Sequence, residues 1–223
     1  MSFAVVIPSK TETNLLSCVA HVRRCEPNVQ IIVVDDGLTG WPRGVVVIPG
    51  SKPFCYAANC NLGMMRALDN HEGIEDHNGI VLLNDDALLQ TPGGFSHMAE
   101  LAKDRPEVGV LSATCNRIGN PNQRPNQRPA FRYDHRMLAF VCVYIPRWVI
   151  EKLGLLDERF TAYGCEDCDY CKRVLNAGLK LGITEECFVD HASLPASFRG
   201  AKDHQQQMMA GREIYFEKWG VQP

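Results

Sequence analysis

Short apolar runs alternate with stretches of helical character through the first half of the chain. Four runs are rich in valine, isoleucine and leucine, namely residues 3–7, 30–34, 45–48 and 80–83. Runs of this length and composition are typical of strands buried on both faces of a parallel sheet. Between them, residues 14–24 carry apolar side chains at helical spacing and residues 57–68 have a helical composition. The first half is therefore predicted to consist of strand–helix–strand units.

The second half continues with both kinds of element. Strands are predicted at residues 108–113, 138–145, 179–183 and 187–189, and helices at residues 95–102, 147–153, 167–177 and 205–219. Gly178 follows the third of these helices, and glycine commonly ends a helix. The last helix places apolar side chains on or near one face: Met208, Met209, Ile214, Tyr215 and Trp219. We interpret that face as a packing surface rather than a membrane anchor.

Composition and charge narrow the class of protein. The chain has 223 residues, of which 45% are hydrophobic, so it can form a sizeable core, and one α/β domain is the simplest prediction. The formal net charge of -3 argues against a globally basic nucleic-acid-binding protein. Ten cysteines occur without a secretory signal or a long apolar stretch, so we expect a reduced, cytoplasmic protein without a transmembrane segment.

Acidic side chains follow the predicted strands. Asp36 follows the second strand, and Asn84, Asp85 and Asp86 follow the strand at residues 80–83. The carboxyl ends of parallel strands meet at one edge of a sheet, where α/β proteins bind ligands, so Ser9, Asp36 and Asp86 are expected to share a crevice. The triplet by itself also fits a turn or a helix N-cap.

Two later groups supply the other parts of a catalytic site. Glu166 and Asp167 begin a predicted helix, where acids also complement the helix dipole, and His191 follows the last predicted strand. Asp86 and His191 would suffice to hold a divalent cation, Mn²⁺ or Mg²⁺, if a diphosphate completed its coordination. Asp167, not bound to the metal, would then be the general base for an attacking hydroxyl.

Five segments in a fixed order carry a resemblance to a known family. They are VVIPSK, VVDDGLTG, NCNLGMMRAL, LLNDDALLQTPG and IPRWVIEKLGLLDERFTAYGCEDCDYCKRVLNAGLKL. Over residues 3–219 the chain resembles glycosyltransferase family 2, a group of inverting enzymes with the GT-A fold. The resemblance implies a single GT-A, Rossmann-like domain over residues 1–223. Its parts would be a nucleotide-sugar-binding half at 1–115, an arginine- and proline-rich loop at 116–136, and an acceptor-binding, catalytic half at 137–223.

The resemblance also implies which side chains bind the nucleotide. Pro8, Ser9 and Thr11 would line the base. Asp36 would accept a hydrogen bond from the pyrimidine N3–H, and Asn61 would help to close the nucleotide site.

Other matched positions would act on the sugar and the diphosphate. Asp85 would contact the ribose or the sugar, Asp86 would bind the metal, and His191 would be a second metal or diphosphate ligand. Asp167 would be the general base, and Glu166 would support the acceptor or the donor sugar. The chain departs from the family where the metal-binding triplet begins, because Asn84 stands there.

The leading hypothesis from the sequence is therefore a metal-dependent inverting glycosyltransferase of the hexosyltransferase type. It would move a sugar from a UDP- or dTDP-sugar to an acceptor hydroxyl on a glycan, with hydroxylated DNA and protein open as other acceptors. A nucleotidyltransferase and a non-catalytic sugar-nucleotide-binding module are alternatives of other classes. The first of these would favour a glycine-rich, basic first loop, whereas the loop here reads PSKTET.

The segment 116–136 carries five arginines against one acid, Asp134, and contains PNQR twice in tandem. It is predicted to be either a solvated loop or an acceptor-binding loop, whose arginines would suit an anionic acceptor such as a phosphorylated glycan, a lipid phosphate or a DNA backbone. In the second case, replacing Arg124 and Arg128 with alanine would raise the KM for the acceptor and leave donor hydrolysis unchanged.

Cys165, Cys168 and Cys171 form a CxxCxxC pattern, with Cys187 further on. Such a pattern also occurs in zinc and iron–sulfur sites. Successive steps of three on a helix do not converge well on one ion, so we interpret these residues as buried free thiols.

Overall fold

Nine β-strands form one mixed sheet in the computed structural model, which describes residues 2–69, 77–126, 129–161, 164–196 and 204–223. The strands are β1 (Ala4–Ser9), β2 (Gln30–Asp35), β3 (Val46–Pro49), β4 (Gly79–Leu83), β5 (Leu88–Leu89), β6 (Val108–Cys115), β7 (Phe131–Asp134), β8 (Cys142–Pro146) and β9 (Lys180–Asp190). The helices in the described part of the chain are α1 (Glu12–Cys25), α2 (Tyr56–Leu68), α3 (Gly94–Asp104), α4 (Arg147–Leu153), α5 (Glu166–Asn176) and α6 (His204–Trp219), with a 3₁₀ turn at Pro121–Gln123.

The strand order brings six carboxyl ends to one edge of the sheet. The order is β3-β2-β1-β4-β8-β6-β9-β5, and β7 pairs with β9. Strands β1 to β4 are parallel, β8 is antiparallel to both β4 and β6, and β9 is parallel to β6. Six strands therefore run in the same direction and end at the same edge: β1, β2, β3, β4, β6 and β9. This confirms the predicted α/β class with a mostly parallel sheet.

The core has two faces because neighbouring residues of a strand point to opposite sides of the sheet. In β1, Val5 belongs to the apolar cluster that includes Leu15 of α1 and Phe95 of α3. Val6 belongs to the cluster that includes Met64 of α2, together with Tyr170 of α5. Each such side chain stabilises the fold by roughly 1.5–3 kcal/mol when fully buried. Covering both faces leaves the strand ends as the place for polar chemistry.

Helix α2 packs very closely on the sheet at Gly63. A Cβ atom at this position would lie 2.2 Å from Cγ1 of Val6 and 3.1 Å from Cγ2 of Val34. Only glycine allows this approach without displacing the helix. The close packing fixes the beginning of α2, and therefore Tyr56, against the strand ends.

The structure differs from the predicted elements in the second half of the sheet. Residues 179–183 and 187–189 were expected to be two strands, but they belong to the single strand β9, whose pairing with β6 is irregular between Thr184 and Phe188. Strand β8 begins at Cys142 rather than residue 138. The N–H groups of Leu138 and Ala139 instead donate to Cys171 Sγ and Gln123 Oε1.

Helix α6 packs on the segment that leads into α5. Tyr215 is buried with Phe160 and Cys165, and Ile214 and Trp219 pack against them. Buried Asp169 accepts a hydrogen bond from Trp219 Nε1 (2.9 Å), which ties the end of α6 to α5.

One part of the packing surface predicted for α6 was wrong. Met209 was predicted to pack but is 57% exposed, because it lies on the outer side of the helix. Phe216, which was not part of the predicted surface, is 49% exposed on the same side. Among the described residues, no helix is both long enough and apolar enough to cross a membrane.

Candidate functional site

A cleft opens at the edge of the sheet where β1, β4 and β9 end. Six of the ten side chains selected from the sequence line it: Pro8, Asp85, Asp86, Glu166, Asp167 and His191. Tyr56, Asn84 and the chain at residues 139–141 contribute to the same walls. The cleft encloses about 60 Å³. This is room for a few water molecules or an ion with some of its ligands, so a larger ligand would extend beyond it.

The turn after β4 is held by main-chain and side-chain bonds. Asn84 N donates to Val141 O (3.0 Å), and Ala87 N donates to Asn84 O (3.1 Å). Asn84 Oδ1 accepts a hydrogen bond from the Tyr56 hydroxyl (2.8 Å). Asn84 therefore orients the turn that presents Asp85 and Asp86 to the cleft.

Asp86 and His191 face each other across the cleft. His191 Nε2 lies 3.1 Å from Asp86 Oδ1, and both side chains are buried. The other ring nitrogen, Nδ1, lies 2.6 Å from Arg117 O. A carbonyl oxygen only accepts hydrogen bonds, so Nδ1 donates to it, and Nε2 faces the Asp86 carboxylate at hydrogen-bonding distance.

This geometry fits a divalent cation. Without a metal, a proton on Nε2 would bridge the two side chains at 3.1 Å, and a divalent cation could take the place of that proton. A carboxylate oxygen and an imidazole nitrogen held by a carbonyl are a common donor pair for a divalent metal. Within the described residues, no group of three or more histidine, cysteine or acidic side chains is arranged to hold a metal. A metal at this pair would therefore depend on a substrate for its remaining ligands.

Asp85 joins the ends of two neighbouring strands. Its Oδ2 accepts hydrogen bonds from Ser9 Oγ (2.8 Å) and Lys10 N (3.3 Å). Ser9 and Asp85 are both buried. The end of β1 is thus fixed to the turn that carries Asp86.

Glu166 and Asp167 begin α5 on the opposite wall of the cleft. Glu166 Oε2 accepts a hydrogen bond from Gly164 N (2.7 Å), and Asp167 Oδ1 accepts one from Cys168 N (2.7 Å). Burial raises the pKa of Glu166 above its ordinary range, and the charge of Asp167 raises it further. Burial also raises the pKa of Asp167. A carboxylate with a raised pKa is a stronger base, and Asp167 lines the cleft.

Comparison with solved structures relates this arrangement to a known fold. The chain matches the crystal structure of GalNAc-T7 with UDP, GalNAc and Mn²⁺, with a TM-score of 0.71 and 12% sequence identity. The match covers 98% of this chain and 49% of that chain. The fold is GT-A-like. At this level of identity the similarity concerns the fold alone.

Sequence comparison gives a second match. The chain is 24% identical to the uncharacterized protein y4gI of Sinorhizobium fredii, over 78% of this chain and 23% of that protein. The chain thus spans about a quarter of the length of this relative and about half of the solved chain. No protein-family model matches it.

Four of the selected residues do not line the cleft of the GT-A-like fold. Ser9 lies directly behind it, bonded to Asp85. Asp36 follows β2 at the same edge, and its carboxylate bonds Lys52 Nζ (2.6 Å). Thr11 stands at the N-cap of α1. Their nucleotide-binding roles stay predictions.

Asn61 has a structural role that the sequence reasoning did not anticipate. Its Nδ2 donates to Leu156 O (2.9 Å) and to Glu158 Oε1 (2.9 Å), and its Oδ1 accepts from Leu156 N (2.9 Å). The whole amide thus holds the segment after α4 against α2. Its predicted part in closing the nucleotide site stays a prediction.

The described part of the arginine-rich segment contains a 3₁₀ turn and strand β7, so it does not form one long loop. Arg132 donates to Asn122 O and Arg124 O and pairs with Glu185 (2.5 Å), so it is a structural residue. Arg124 is exposed and lines neither the cleft nor the cavity beside it. Arg128 lies outside the described residues.

The cysteine pattern does not gather its sulfurs in one place. Cys171 Sγ accepts from Leu138 N, whereas Cys187 lies behind the sheet beside Gly94. Cys165 and Cys168 are hydrogen-bonded to each other at the start of α5. All three residues of the pattern are free thiols.

Three residues that shape the site were not assigned to it from the sequence: Tyr56, Asn116 and Arg117. Asn116 Oδ1 accepts from His191 N (2.9 Å), and Arg117 O orients the His191 ring. Asn116 could have been found, because it directly follows β6 as His191 directly follows β9. The roles of Tyr56 and of the Arg117 carbonyl had no signal, since they depend on tertiary contacts.

Proposed function

We propose that this protein is a divalent-metal-dependent glycosyltransferase that moves a sugar from a nucleoside diphosphate sugar to an acceptor hydroxyl with inversion at the anomeric carbon. The observation that carries the proposal is the pair of side chains suited to bind a cation, Asp86 Oδ1 and His191 Nε2, which lie 3.1 Å apart beside Asp167 in one cleft. The GT-A-like fold supports it.

The donor would lie along the strand edge, with its diphosphate at Asp86 and His191. The solved neighbour of similar fold contains UDP and Mn²⁺, which supports a UDP-sugar and manganese as the first donor and metal to test. A bound divalent cation would neutralise charge that develops on the departing diphosphate. Pro8 would lie against the nucleotide, and Asp85, already fixed by Ser9, would contact the ribose or the sugar.

Asp167 would take the proton of the acceptor hydroxyl. The acceptor oxygen would attack the anomeric carbon from the side opposite the diphosphate, so the new C–O bond forms as the bond to the diphosphate breaks. Glu166, buried behind Asp167 with a raised pKa, would be a neutral group that supports the sugar by hydrogen bonding. One base and one displacement produce inversion.

A donor screen tests the proposal. The protein is incubated with Mn²⁺ and a panel of UDP-, dTDP- and GDP-sugars, and the released nucleotide is identified by chromatography. Release of a nucleoside diphosphate is expected from one donor class, and Asp86→Asn should abolish it. Release of pyrophosphate from a nucleoside triphosphate would indicate a nucleotidyltransferase instead, and tight binding without turnover would indicate a binding module.

The stereochemical part has its own test. Proton NMR of the first product formed from an α-linked donor should show a β-linked sugar. An α-linked product would contradict the inverting mechanism and the role of Asp167, while leaving the glycosyltransferase assignment in place.

A further inference from the structure

A second cavity adjoins the cleft. It encloses about 500 Å³ between the 3₁₀ turn at Pro121–Gln123, the start of α5 and α6. Gly119 and Ala139 line both spaces, so the cavity and the cleft are neighbours with a shared wall. Cys165 and Cys168, which flank Glu166 and Asp167 in the chain, line the cavity. The cavity therefore adjoins the segment that carries Asp167.

Two arginines give the cavity a positive charge. Arg136 and Arg212 line it from opposite elements, the segment after β7 and helix α6. The guanidinium group of Arg136 donates one hydrogen bond within the described part of the chain, to Pro223 O (3.3 Å). Arg212 makes no hydrogen bond or ion pair there. The hydrogen bond of Cys168 lowers the pKa of Cys165, and the nearby charge of Arg212 lowers it further.

The one acid in the described lining does not neutralise these arginines. Asp134 accepts hydrogen bonds from Asn120 Nδ2 (3.1 Å) and Asn122 Nδ2 (2.8 Å), and from the main-chain N–H groups of Arg136 and Met137. These four donors hold its carboxylate, so neither guanidinium group pairs with an acid of the described lining, and apart from the bond of Arg136 to Pro223 O both are available to a ligand. The rest of the wall includes apolar surface from Met137, Met208 and Ala139.

We propose that this cavity binds the acceptor, and that the acceptor carries an anionic group, a phosphate or a carboxylate, next to an apolar or sugar body. The part of the inference that calls the ligand an acceptor rests on the proposed function, whereas the anion site is inferred from the charges of the cavity alone. Guanidinium groups form paired hydrogen bonds with both kinds of anion. The volume is that of a typical small-molecule site. The acceptor-binding arginines are thus Arg136 and Arg212 rather than Arg124.

Three aryl glycosides of one sugar test the charge preference. They are 4-nitrophenyl β-D-glucoside, its 6-phosphate, and 4-nitrophenyl β-D-glucuronide, which differ only at C6. Affinities are measured by ligand-observed NMR titration of the full chain. We expect at least one of the two charged probes to bind tenfold or more tightly than the neutral probe, and the comparison of the two identifies phosphate or carboxylate as the preferred group.

Matched variants locate the effect. Arg212→Ala and Arg136→Ala should each reduce the preference to about twofold or less, and Arg212→Lys should retain part of it, since charge remains. Arg124→Ala removes an exposed arginine of the same segment outside the cavity and should change nothing. Equal affinity of the three probes for the wild-type chain would overturn the proposal, as would an equal loss in Arg124→Ala.

The donor site is measured on the same samples. UDP binding in the presence of Mn²⁺ should be unchanged in Arg212→Ala, which also shows that the variant is folded. Absence of UDP binding in the wild-type chain would contradict the proposed function, whereas the probe titration needs no donor and tests the anion site separately.

Discussion

At the scale of single residues, the environment of Asp167 distinguishes it from the other acids of the site. Asp85 is buried and tied to Ser9, and Asp86 faces His191, so neither is free to receive a proton from a substrate. Asp167 lines the cleft, and burial raises its pKa. These features support the proposal that Asp167 is the general base.

Replacing Asp167 with asparagine tests this role. The amide has nearly the same shape but does not accept the proton, so kcat should fall by about 10²–10⁴-fold. Binding of UDP with Mn²⁺, measured by calorimetry, should stay within twofold. Glu186→Gln, which changes an exposed acid outside the cleft, is the control and should keep full activity. Retention of activity in Asp167→Asn would remove it from the mechanism.

The raised pKa also predicts a pH profile. The base must be ionised to act, so kcat/KM should fall as the pH decreases through the folded-state pKa of Asp167. Because burial raises that pKa, the acid limb should lie above the ordinary aspartate value of about 3.9. An acid limb at or below that value, measured with a donor that is stable over the range, would contradict the assignment.

Asp86→Asn separates metal binding from stability. In the wild-type chain the Asp86 carboxylate lies at hydrogen-bonding distance from His191 Nε2, and asparagine keeps both a donor and an acceptor that can bond to this nitrogen. The variant without metal should therefore stay folded, with a melting temperature close to that of the wild type. The rise in melting temperature caused by Mn²⁺ together with UDP should be lost. A variant that is destabilised without metal but still stabilised by Mn²⁺ and UDP would argue against the pair as the metal site.

At the scale of elements, the sequence predicted most of the sheet because its strands have the simplest pattern. The strands β1, β4 and β6 are buried throughout, so apolar side chains dominate each of them. β5 has two residues, too few to show any period. β7 was missed for another reason. Its alternation of Phe131 and Tyr133 with charged residues lies in a segment whose arginines and prolines indicate a loop.

The site was predictable only in part for the same reason. Residues placed directly after a strand, such as Asp86 and His191, could be assigned to one edge from the topology alone. The contacts that orient them could not, because Arg117 O and Tyr56 act across the fold. Arg212 was missed as well, since α6 lies far along the chain from the segment it faces.

The contact between α6 and the start of α5 gives a prediction at this scale. A Cβ atom at position 211 would lie 2.3 Å from Gly164 O, so Gly211→Ala must push α6 away from the segment that carries Glu166 and Asp167. Overpacking of this kind costs about 1–3 kcal/mol, which exceeds the gain of about 1 kcal/mol in helix propensity. Both the melting temperature and kcat should decrease.

The neighbouring position supplies the control for this change. Ala210→Gly is at an exposed position and costs about 1 kcal/mol in propensity but leaves the contact with Gly164 intact. It should lower the melting temperature with kcat unchanged. If both variants lose activity in proportion to stability, α6 does not position Asp167.

At the scale of the whole molecule, the topology of the sheet supplies only part of the proposed metal site. Strands β4 and β9 are followed by one proposed ligand each, Asp86 and His191, and no third acidic, histidine or cysteine side chain joins them among the described residues. A cation with two protein ligands needs further oxygens from water or a diphosphate. Metal and nucleotide should therefore bind as partners, each raising the affinity for the other by the same factor.

Thermal unfolding measures this coupling directly. A ligand raises the stability of the folded protein by RT ln(1 + [L]/Kd), so at fixed concentrations a small shift is expected for Mn²⁺ alone and for UDP alone. The two together should raise the melting temperature by clearly more than the sum of the separate shifts, because the diphosphate oxygens complete the coordination that Asp86 and His191 begin. Uridine with Mn²⁺ lacks those oxygens and should show simple additivity. Additive shifts for UDP and Mn²⁺ as well would mean that the nucleotide does not share the cation held by the two strand ends.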